Sequence, residues 1–200
     1  MKRMNTFRSA FAVVAIGAAV SLAGCASPEE PAVVRGVDGS RHEIYDSVDG
    51  LVQDSSAVVT VEVLSQERGE LDAPEGVLAT PLTISTVRVL ELAEPDELAE
   101  TLPGGESTVA VGDELVVRQL GDAEMESTPA PIMEIGGSYL LFLTPTGLPG
   151  EAADEFYVTG AVAGLFEPSS SGRGGETGYT SLSHDGDDLP SDITLGDIGS

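Results

Sequence analysis

The chain has 200 residues and a formal net charge of −25, with 9 Lys and Arg against 34 Asp and Glu. A field of that sign repels phosphates and anionic lipid headgroups, so neither a nucleic-acid binder nor a basic membrane-surface protein is expected. A single cysteine excludes an intrachain disulfide and a thiolate metal cluster, and the 4% of aromatic residues is too thin for a base-stacking platform.

The N-terminus opens with Lys2, Arg3 and Arg8 and no acid. Residues 11–23 are uncharged and mostly apolar, about the length of a signal-peptide core and short of the roughly 20 residues that a spanning helix needs. The run closes on Leu22-Ala23-Gly24-Cys25, which resembles the lipobox of bacterial lipoproteins. That resemblance implies that a peptidase reads Leu22, Ala23 and Gly24 and cuts before Cys25. It also implies a diacylglycerol thioether on the Cys25 sulfur, with a further acyl group, such as palmitate, on the new amine in many bacteria. Residues 1–24 are thus expected to be a cleaved signal peptide, and the remainder a protein held on the extracytoplasmic face of the cell membrane. Two or more acyl chains suffice for stable anchoring. An ordinary secretory leader or a true membrane anchor, with Cys25 incidental, are the alternatives. Loss of three positive charges with the leader would take the formal charge from −25 to −28.

Residues 25–39 mix Pro, Gly and acids without periodicity and read as a lipidated flexible tether. Ile44, Val48, Leu51 and Val52 then fall on one helical face, which predicts a short helix of about three turns. Residues 56–64 (SAVVTVEVL) alternate, with Val59, Val61 and Val63 on one side, and predict a strand. A polar stretch over 65–79 precedes a second strand over 82–92, and an acidic connection over 93–108 follows it. The third strand is 114–120, after the turn at Val111-Gly112-Asp113, and a Pro-bearing loop leads to the turn at 135–138. Residues 139–144 (YLLFLT) are nearly all apolar, which predicts burial on both faces, as in a barrel wall covered by the helix. A last pair of strands is read at 156–159 and 161–166, with Gly160 between them as a turn or bulge. Beyond 167 the text is Ser, Gly and Asp with scattered Tyr179, Leu182, Ile193, Leu195 and Ile198. Residues 168–200 are expected to be an acidic, largely mobile tail, in which these apolar residues make at most an edge strand or a short terminal element.

Five or six strands with one short helix fit a small closed antiparallel barrel over residues 40–167. The phrases around 55–63, 86–90, 111–117 and 135–143, the last a Gly-x-x-Tyr-Leu-Leu-Phe-like run, resemble secreted bacterial proteins, many of them actinobacterial. Their domain looks like the OB-type barrel of netrin modules and tissue inhibitors of metalloproteinases. The resemblance spans about 44–166 and implies the fold. The animal inhibitors place a disulfide-bonded N-terminal cysteine on a protease's zinc; the single cysteine here is read as lipidated, so that mechanism does not carry over.

Little chemistry is written in the side chains. His42 and His184 are the only histidines, neither follows a nucleophile elbow, and no Gly-x-Ser-x-Gly occurs, so no hydrolytic triad is expected. The run His184-Asp185-Gly186-Asp187-Asp188 gathers oxygen ligands of the kind calcium takes, but Pro190 stands where an EF-hand loop has glycine. Glycines 172, 174, 175 and 178 follow no strand and open no helix, so they read as linker rather than phosphate loop. Arg88 and Arg118 each lie within a predicted strand of a chain poor in cations, and are either outward arginines paired to acids or anion-binding or partner-contact positions on the barrel wall. The expectation is a mainly β, OB-like, lipid-anchored binding module with no cofactor, metal or catalysis. Its partners would be the membrane, through Cys25, and an envelope protein. An accessory protein of a secreted or envelope enzyme and a calcium-responsive acidic surface protein are the alternative readings.

Overall fold

The computed structural model describes residues 44–71, 79–93, 109–123, 125, 131–170, 172, 176–183 and 187–198. The segments read as leader, lipobox and tether, with His42 and His184, lie outside them.

Helix α1 is Val48–Gln53, shorter than the periodicity predicts. Ser47 is the reason: its side chain accepts the Gly50 amide and sets the helix start there. Ile44, assigned by spacing to the helical face, lies outside the helix and is 65% exposed. Tyr45 is buried instead, and its backbone is held by the chain's far end, its amide on the Asp187 carboxylate at 2.9 Å and its carbonyl on the Asp188 amide at 2.9 Å.

The strands are β1 (Ala57–Glu70), β2 (Pro81–Ala93), β3 (Glu114–Leu120), β4 (Ser138–Pro145), β5 (Phe156–Val158), β6 (Leu165–Ser169), β7 (Gly178–Ser181) and β8 (Asp192–Thr194). Pairing runs β1-β2-β3-β5-β4 and returns from β4 to β1, which closes a five-stranded barrel. Every pairing is antiparallel except β3 with β5, which is parallel. This is the expected OB-like barrel with one short helix. Two register shifts between β1 and β2, which leave Leu64 and Leu90 as extra residues, add the local twist that bending a sheet into a barrel requires.

Two apolar layers follow from the period-two pattern. Inward residues Val59, Val61 and Val63 of β1 meet Val87, Val89, Val117, Leu141, Leu143, Phe156 and Val158 inside the barrel. Outward residues Val58, Leu140 and Phe142 are covered by Tyr45, Leu51 and Val52 at the helix and by Ala163, Phe166, Tyr179, Ile193 and Ile198. The unbroken apolarity of β4 thus reflects burial on both faces, as its sequence predicts.

Three boundaries differ from the sequence reading. Strand β1 continues through the polar residues to Glu70, because the ladder from Ser65↔Thr86 to Glu70↔Pro81 needs backbone pairing and no apolar face. Residues 161–164 are a turn rather than strand: Gly160 and Ala161 both have φ of 62°. The excursion leaves the sheet at Thr159, whose amide donates to the Phe142 carbonyl at 2.9 Å, and returns at Gly164, whose carbonyl accepts the Phe142 amide at 3.0 Å. A Cβ on Gly160 would lie 2.5 Å from the Tyr45 ring, so this position needs glycine for space as well as for φ. Finally, the sheet does not stop at residue 167. Strand β7 pairs with β6 and β8 pairs with β7, and Tyr179, Ile193 and Ile198 are buried.

Candidate functional site

The barrel interior is filled. On β3 the inward alternation puts Val117 in the core and Gln119 at the barrel's end, where both ends of its amide are used. Gln119 Nε2 donates to the Pro131 carbonyl at 3.0 Å and its Oε1 accepts the Met133 amide at 3.1 Å. Gln66 Nε2 donates to the Met133 carbonyl at 2.6 Å and to Ser85 Oγ at 3.1 Å. These bonds hold segment 131–133 across the barrel's end and drive the Met133 side chain, 1% exposed, into the core. Among the described residues, the space inside the barrel is occupied by apolar side chains, and the recess described below lies in its wall.

Both strand arginines point outward, as the pattern allows, and both are paired to acids. Arg88 faces Glu62 on β1 and Glu114 on β3, at 4.0 and 3.4 Å. All three side chains are 43–57% exposed, and a solvated ladder of this kind is worth about 0–1 kcal/mol. Arg118 differs. Its Nε donates to Glu155 Oε2, and each of the two side chains is only 16% exposed. The Glu155 hydrogen bond holds the guanidinium above its ordinary pKa against the opposing effect of burial, with the Glu155 charge, Tyr157 and Glu67 adding in the same direction as that bond. Arg118 therefore stays charged at any working pH. Counting along the β2–β3 ladder, the two arginines are four positions apart, roughly 13 Å at 3.3 Å per residue, so they do not form one site.

Arg118 stands at a gap in the wall. Strands β3 and β5 pair only at Val117↔Phe156 and Arg118↔Tyr157. Beyond that, β3 runs on to Leu120 while β5 ends and turns away. The space between them is a cleft of about 340 Å³ with Leu71, Leu120, Val158 and Ala161 as apolar walls and Arg118 and Tyr157 among its polar residues. Ala161 is, among the described residues, the one non-glycine with positive φ, a conformation that costs roughly 1–2 kcal/mol for an L-residue. Sequence reasoning singled out Arg118 but missed Leu71, Glu155, Tyr157 and Ala161.

The acidic run near the C-terminus has a structural part. The Asp187 carboxylate accepts the Tyr45 amide at 2.9 Å and the Ser183 hydroxyl at 2.5 Å, which ties this segment to the start of α1. Asp185 lies outside the described residues. Among the described residues no group of three or more His, Cys, Asp or Glu is placed to hold a metal ion. No described helix is long and apolar enough to cross a membrane. No protein-family model matches the chain, and no curated protein does.

Proposed function

We propose that this chain is a membrane-anchored lipoprotein, held on the extracytoplasmic face through lipid on Cys25, whose OB-like barrel serves as a binding module without catalytic machinery. The ordered succession of basic start, apolar run and Leu22-Ala23-Gly24-Cys25 supports the anchor. The binding role rests on one observation: an arginine set into a mostly apolar recess of the barrel wall, in a chain whose cations are scarce. A half-buried guanidinium beside apolar walls is the combination that marks contact sites on protein surfaces. Arg88, solvated between two acids, lacks that setting. The partner class is an envelope protein, an enzyme served by this module included.

The test is capture from solubilised membranes with the intact lipoprotein. The wild type and Arg88→Gln are expected to enrich the same partner. Arg118→Gln should recover at least about fivefold less, the equivalent of roughly 1 kcal/mol. His42→Ala and His184→Ala should leave capture unchanged. Equal recovery by Arg118→Gln would remove the arginine from the contact, and a histidine-dependent hydrolytic activity would turn the reading to an enzyme.

A further inference from the structure

The chemistry of the β3–β5 cleft limits what it can hold. Its walls at Leu71, Leu120 and Val158 offer only dispersion contact and burial. The Gln119 amide is committed on both sides to segment 131–133, and Arg118 Nε is committed to Glu155. The terminal amino groups of Arg118 and the hydroxyl of Tyr157 make no hydrogen bond among the described residues, although both residues line the cleft. These groups offer several N–H donors and one hydroxyl. The Arg118 charge is already balanced by Glu155, and the protein as a whole carries −25. An anionic group would have to compete with Glu155 inside a repelling field, and a cationic group would meet the guanidinium. An uncharged acceptor meets neither obstacle. The strained Ala161 at the same cleft is a second mark, since backbone strain gathers where chains clamp ligands.

We infer that the cleft binds a small neutral amphiphile, its aliphatic body against Leu71, Leu120 and Val158 and a carbonyl oxygen accepting from Arg118 and Tyr157. The volume of about 340 Å³ suits on the order of ten non-hydrogen atoms. This rests on the reading of the barrel as a binding module and names the ligand class of its recess.

The experiment titrates the chain from residue 25 to 200, with Cys25→Ser to keep it in solution, with hexanamide, hexanoate or hexylamine while recording amide NMR shifts. Hexanamide should give saturable shifts at Leu71, Leu120, Val158 and Ala161, with hexanoate and hexylamine binding at least about tenfold more weakly. Tyr157→Phe, which removes one hydroxyl, should weaken hexanamide by about fivefold. Leu120→Trp, which fills the cleft, should abolish the shifts while the Tyr179 and Ile193 amides stay in place to report an intact fold. Silence at the cleft with all three probes, equal binding of the charged probes, or full binding by Leu120→Trp would overturn the inference. Silence at the cleft while Arg118→Gln still loses the membrane partner overturns the small-ligand site alone. Capture that ignores Arg118 overturns the broader reading.

Discussion

Ending the chain at Glu167 is expected to yield a protein without a cooperative unfolding transition. The cut removes β7, β8 and, with them, Tyr179, Ile193 and Ile198, which are 6%, 3% and 7% exposed. Burying one such side chain contributes about 1.5–3 kcal/mol, so the three together contribute roughly 5–9 kcal/mol as an upper estimate. That is comparable to the whole stability of an ordinary domain. The loss also uncovers Phe142, Phe166 and Leu140 and leaves the outer edge of β6 unpaired. Burial raises the pKa of the Tyr179 phenol, with the Glu91 charge adding to it and a hydrogen bond with Thr60 opposing it, so the deleted ring is neutral and lost as packing. Urea titration by circular dichroism, with a hydrophobic dye as second probe, reads the result. A sharp transition at the wild-type midpoint would show that residues 168–200 are dispensable.

Phe142→Ala should lower the unfolding free energy by about 3–5 kcal/mol, the usual cost of emptying a buried aromatic site. Phe142 is fully buried, its ring lies 5.7 Å from that of Phe166, and its backbone amide and carbonyl hold both ends of the 159–164 excursion. The strand beneath it is packed on its inner face by Leu141 and Leu143, so the structure has little freedom to collapse into the gap. Leu90→Ala is the control: at 46% exposure, as the extra residue of a bulge, it should change stability by no more than about 0.5 kcal/mol. A Phe142→Ala cost near that of Leu90→Ala, measured by urea denaturation, would mean that the outer layer is not packed.

Where local pattern reflects burial, the sequence is informative. The alternation of Val59, Val61 and Val63 and the apolar run of 139–144 place two central strands and show that β4 is covered on both sides. Where a strand is held by backbone pairing and polar side chains, as in β1 beyond Ser65, no apolar alternation marks it. The C-terminal strands escape for a related reason: each brings one large buried side chain, Tyr179 or Ile193, amid Gly, Ser, Thr and Asp, and one side chain has no period. Part of the cleft is hidden by distance along the chain. Arg118 draws attention because cations are rare, but its partner lies 37 residues away across a parallel contact, and nothing in the text around Glu155 marks it. Ala161 is hidden by identity, since alanine gives no sign of positive φ where glycine would. The proposed lipobox is the reverse case, read from sequence alone.

The most direct measurement is the intact mass and N-terminal fragmentation of the protein extracted from its own membranes. A mature chain should begin at Cys25, with diacylglycerol on the sulfur, and Cys25→Ala should accumulate as an unlipidated precursor that keeps residues 1–24. A chain that begins elsewhere, a bare Cys25 in the membrane fraction, or a Cys25→Ala protein cut at the same site with lipid attached would contradict the assignment.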